Sequence, residues 1–188
     1  MRKLPLLLIL FLALFSITSC EEDEETEEPD ISEGLDITTL RYILTPADST
    51  QAVTFSYTDL DGPGGTPPEI DEGSLQPNTV YQGTVQVLNQ LEQPAEDVTT
   101  KVVNQSTDHQ FFYQSAIDDV EIIYNDADSD GNPLGVSTRL TTASSASGKL
   151  TITLQRNPDK DAPGVSQGEL TNAGGETEIN VSFDVEVR

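Results

Sequence analysis

From Thr177 to Val187 the chain alternates without a break: Ile179, Val181, Phe183, Val185 and Val187 fall on one side, and Asn180, Ser182, Asp184 and Glu186 on the other. A period of two sends successive side chains to opposite faces of an extended strand, so this segment needs one apolar neighbour and one aqueous one. On a helix the same residues would be spread around the whole circumference. Runs rich in β-branched, aromatic and aliphatic residues recur at 37–44, 52–57, 79–88, 110–114, 120–124, 134–141 and 149–154. Eight candidate strands with turn-rich connections predict an all-β fold.

The architecture that accommodates eight such strands is an antiparallel β-sandwich with Greek-key connections, broadly immunoglobulin-like. One segment departs from the pattern. At 94–103, Glu96 and Asp97 stand where a first helical turn would favour acids, and Val98 and Val102 are four apart, which predicts a short helix across one end of the sandwich. The longest connection, residues 156–176, is rich in Pro, Gly, Asp and Asn, and loops of that length are usually functional or mobile.

Residues 1–19 read as a secretory leader: Arg2 and Lys3, then an apolar run from Leu4 to Phe15, then Ile17-Thr18-Ser19 before Cys20, the single cysteine of the chain. The run is short of the roughly 20 residues a membrane span needs. An uncut anchor, or a plain leader with a coincidental cysteine, would also begin this way. Residues 20–30 read as a tether, because Glu21 to Asp30 holds eight acids, no base and nothing to bury. Residues 31–188 are enough for one domain with a proper core.

The motif Ile17-Thr18-Ser19-Cys20 resembles the lipobox of bacterial lipoproteins, and that resemblance implies a diacylglycerol on the Cys20 thiol with Cys20 as the new N-terminus. An acylated Cys20 leaves no thiol for a disulfide, a metal or catalysis. The tether acids resemble a surface-export signal, which implies the outer face of an outer membrane.

The charge narrows the partners. The chain has 33 acids against 9 bases, and without the leader and the tether acids residues 31–188 still carry −18. Arg41, Lys101, Arg139, Lys149, Arg156, Lys160 and Arg188 are scattered singly, so no nucleic acid partner is expected, since phosphate binding needs clustered bases. Anionic membrane surfaces are equally disfavoured, and the membrane is reached through the N-terminal lipid.

Asp126-x-Asp128-x-Asp130-Gly131 matches the first half of a calcium loop, where alternate carboxylates converge on a hard cation. Its twelfth position is Ser137 rather than a bidentate Glu, and its flanks are strands. Asp59-Leu60-Asp61-Gly62 echoes it after Tyr57, as Asp126 follows Tyr124, so Asp59 and Asp61 would contribute to a Ca²⁺ site if both loops meet at one end. The plainer reading is two acidic turns, and no cofactor. Gly164-Val165-Ser166-Gln167-Gly168 spells a nucleophile elbow, but the single histidine, His109, precedes it and the strands around it are antiparallel. His109 is expected at a strand edge, partly solvated. Glycan binding would need exposed rings; Tyr42 and Tyr113 are the candidates, while Phe55, Tyr57, Tyr124 and Phe183 fall on core positions.

Several phrases, among them Ile37-Thr38-Thr39-Leu40, Asp108-His109-Gln110-Phe111-Phe112 and Thr171-Asn172-Ala173-Gly174-Gly175, are similar to small outer-membrane lipoproteins of one Gram-negative phylum, often labelled type 1 periplasmic binding fold. That label implies two α/β lobes around a small ligand. The chain is too short for two lobes and lacks the alternation of strands with long helices. The function expected is therefore a lipid-anchored, non-enzymatic sandwich for surface interaction or assembly with a protein or glycan partner. The alternative is a calcium- or glycan-binding module acting through loops 59–68 and 125–135.

Overall fold

Strict alternation is satisfied by two sheets packed face to face. The computed structural model describes residues 34–188; Cys20 and the tether at 20–30 lie outside the described residues. The strands are β1 (Thr39–Pro46), β2 (Val53–Thr58), β3 (Glu69–Asp71), β4 (Ser74–Leu75), β5 (Val80–Asn89), β6 (Glu96–Asp97), β7 (His109–Ser115), β8 (Val120–Tyr124), β9 (Ser137–Thr142), β10 (Ala146–Arg156) and β11 (Glu176–Val187). Among the described residues a single short α-helix, α1 (Thr99–Asn104), lies between β6 and β7.

The first sheet runs β3-β2-β1-β5-β9-β8, with β6 paired to β5; the second runs β4-β11-β10-β7. All pairings are antiparallel except β4 with β11. In the first sheet β1, β2 and β3 follow one another and β5 returns to lie beside β1, the spatial order of a Greek key. All eight strands expected from the alternation are present, so the molecule is an all-β sandwich.

The core lies between the sheets. Leu40, Tyr42 and Leu44 of β1 and Tyr81, Val85 and Val87 of β5 face Leu150, Ile152 and Leu154 of β10 and Val181, Phe183 and Val185 of β11, all buried. Each such side chain contributes about 1.5–3 kcal/mol of burial. Aromatic pairs bind the sheets to each other: Phe55 lies 5.7 Å from Phe183, and Tyr42 lies 5.5 Å from Tyr113, centroid to centroid. A second small cluster of Phe112, Val165 and Ala173 forms where residues 157–175 fold back over the outer face of β7.

The helix at 94–103 is corrected in its boundaries. Glu96 and Asp97 pair with Asn89 and Leu88 as a strand rather than forming a first helical turn. The helix starts only at Thr99, whose N–H donates to Asp97 Oδ1 at 3.0 Å. Val98 and Val102 are both buried, as their spacing requires.

Candidate functional site

The acidic loop after β8 is built by its own carboxylates. Asp126 accepts the N–H groups of Gly135 at 2.7 Å and Ser137 at 2.8 Å, one through each oxygen. Asp128 Oδ1 accepts those of Asp130 and Asn132, both at 2.9 Å, which closes the turn. The remaining oxygen, Oδ2, takes Lys160 Nζ at 2.8 Å, and the side chains are only 1% and 6% exposed. Lys160 also donates to the carbonyls of Ser106 at 2.7 Å and Pro133 at 3.1 Å. Three oxygens thus converge on an ammonium supplied by the long connection after β10.

Burial works to raise the Asp128 pKa, but Lys160 and the N–H groups of Asn132 and Asp130 outweigh it and hold the carboxyl below its ordinary value of 3.8. Asp130 contributes its backbone N–H to this turn and its side chain is exposed.

The loop after β2 is organised in the same way. Asp59 Oδ1 accepts Gly62 N–H at 2.8 Å and Asp61 N–H at 3.3 Å, while Oδ2 accepts the Tyr57 hydroxyl at 3.3 Å. Asp61 Oδ2 accepts Thr66 N–H at 2.9 Å, and that backbone bond is the main cause of its lowered pKa. Around this loop the surface is indented by clefts of about 370, 330 and 260 Å³, all of which include Asp59. Leu60 and Leu91, 50% and 61% exposed, stand beside them, and Leu35 lines the second.

The two acidic loops do not meet. Both leave the first sheet toward the same end, but β2 and β8 are four strand positions apart, roughly 19 Å at about 4.8 Å per strand. Among the described residues no group of three or more His, Cys, Asp or Glu is placed to hold a metal.

Three further expectations are corrected. Tyr42 is buried, because it shares a face with Leu40 and Leu44, and its hydroxyl pairs with Thr138 Oγ1 at 2.8 Å. Tyr113 is mostly covered and donates to the carbonyl of Gly135. No aromatic ring among the described residues is fully exposed; Tyr57, Tyr113 and Tyr124 are half-buried. His109 is 1% exposed rather than solvated; its Nδ1 lies 3.0 Å from the Gln105 carbonyl oxygen, and its Nε2 is buried without a partner among the described residues. Ser166 sits in an isolated 3₁₀ turn, Val165–Gln167, between two left-handed glycines, not on a strand-to-helix elbow.

Sequence reasoning missed Lys160 as a structural cation. The one signal was its place as a lone base, between Asp159 and Asp161, in a loop otherwise free of bases. No family model, no curated protein and no solved structure matches this chain.

Proposed function

We propose that the chain is an exported lipoprotein, anchored through Cys20 on the outer membrane and exposed at the cell surface, whose sandwich binds another macromolecule and performs no catalysis. The observation that carries the binding role is the end around Asp59, where three clefts and the exposed Leu60 and Leu91 adjoin. Grouped exposed apolar side chains with a polar rim are the usual mark of a contact surface. The acids singled out as metal ligands support this reading over calcium binding, since Asp126 and Asp128 are already occupied by backbone N–H groups and Lys160.

Metabolic labelling with an alkyne palmitate, followed by protease treatment of whole cells, tests the anchor and the exposure. The chain should take up label and be cut from outside, and Cys20→Ser should lose the label. An unlabelled chain sinks the anchor; a labelled chain that survives protease while other surface proteins are cut sinks the exposure.

A further inference from the structure

In the second sheet β11 pairs with β10 along its whole length, but on its other side only Glu186 and Val187 find a partner, in the two-residue β4. The rest of that edge is open. Asp184 N–H points away from β10, since it donates to Glu72 Oε1 at 2.7 Å. Antiparallel ladders alternate, so the N–H and C=O groups of Ser182 and Asn180 face the same way, and no backbone partner among the described residues meets them. Carboxylates hold both ends of this window: Glu178 accepts Leu35 N–H at 2.8 Å, and Glu72 takes Asp184.

The window opens onto the 260 Å³ cleft, whose apolar lining comes from Ile37, Tyr57, Pro63 and Ile179. Across the gap stands β3, at the edge of the other sheet; its Ile70 lies opposite Tyr57 and is 43% exposed. The surrounding charge is negative: Glu69, Asp71 and Glu72 stand on the β3 side, while on the β11 side Asp184 is paired with Lys149 at 2.7 Å and Glu186 with Arg188 at 3.0 Å.

We propose that the β11 edge between Glu178 and Asp184 is a strand-addition site that takes an extended, lysine- or arginine-bearing segment of a partner protein. The unpaired groups of Asn180 and Ser182 supply main-chain hydrogen bonds, as in other strand-addition complexes. Alternate residues of the incoming segment then point toward the Ile37–Tyr57–Ile179 cleft and toward solvent. The outward ones lie beside Asn180 and Ser182, within the field of Glu69, Asp71 and Glu72 across the gap, where a base is complementary and an acid is repelled. A window of about five residues suits a strand of ordinary length.

This rests on the reading of the chain as a binding domain, and its test is independent of the anchor. The probe is a short synthetic peptide alternating lysine and valine, added to the intact chain in detergent, with a peptide of equal charge interrupted by proline as control. Hydrogen exchange at the Asn180 and Ser182 amides should slow by about tenfold or more with the first peptide and not with the second. Ser182→Pro removes an N–H that faces outward, where an edge strand tolerates proline, and should weaken binding about tenfold while Ser182→Thr does not. Absent binding, binding with both amides still exchanging freely, or equal affinity for the proline-interrupted peptide would overturn the site. A dimer of the chain lost in Ser182→Pro would replace the partner segment by a second copy and overturn the occupant. If any of these occurs while Cys20 still takes up palmitate, the anchor stands and the edge falls.

Discussion

Lys160 and Asp128 carry more of the molecule's polar energy than their loop positions suggest. Removing one partner of a buried pair strands the other charge, so Asp128→Ala should destabilise the domain by about 3–5 kcal/mol, measured by urea unfolding. Acid has the same effect reversibly. A carboxyl whose native pKa lies below its unfolded value contributes fully above about pH 4 and loses that contribution as pH falls through the lower native value. Thermal scans from pH 5 downward should show this loss, and Asp128→Asn should flatten that limb from a lower starting stability. Millimolar calcium should leave the melting temperature unchanged, because Asp126 and Asp128 are already engaged. A rise of several degrees would show that calcium competes for the loop. The aspartate spacing was legible in the chain, but its use was not: alternate carboxylates look alike whether they face a metal, an ammonium or backbone N–H groups.

At the scale of the element, close approach is the sharper constraint. Gly83 in β5 lies under the Tyr42 ring, where an added Cβ would meet Thr138 Oγ1 and stand 2.7 Å from the Tyr42 hydroxyl. Gly83→Ala should therefore cost about 1–3 kcal/mol, read as a lower urea midpoint. Combining it with Tyr42→Phe should recover part of that loss, since one of the two crowding oxygens is gone and Thr138 Oγ1 is freed to rotate away. The eight longer strands were legible because alternation over five or more residues suits an extended strand with one buried face and little else. β3, β4 and β6 were not, being two or three residues long; Glu69-Ile70-Asp71 and Glu96-Asp97 carry acids and almost nothing apolar. Tyr42 was misread as an exposed ring, although its alternation with Leu40 and Leu44 places it on their buried face. His109 was harder: His109, Gln110, Phe111 and Phe112 are all buried, because residues 157–175 cover the outer face of β7 and erase its alternation.

Charge belongs to the molecule as a whole. With −18 on residues 31–188, self-repulsion opposes compaction at low ionic strength and is screened by salt. The melting temperature should rise by about 2–4 °C between low and physiological sodium chloride, equivalent to roughly 1 kcal/mol. A flat response would mean that the acids are already spaced beyond mutual reach. The clefts around Asp59 were not legible from sequence, because they bring together residues near 35, 60, 91 and 178 that only the strand order makes neighbours. In chain order β11 comes last among the described strands, although it supplies Val181, Phe183, Val185 and Val187 to the core and joins the second sheet to the first through Phe183 and Phe55. Until β11 has been synthesised β10 lacks its longer strand partner and the core lacks four apolar side chains, so the second sheet closes late. The fold is therefore completed by its final strand, which sets the moment at which the core is sealed.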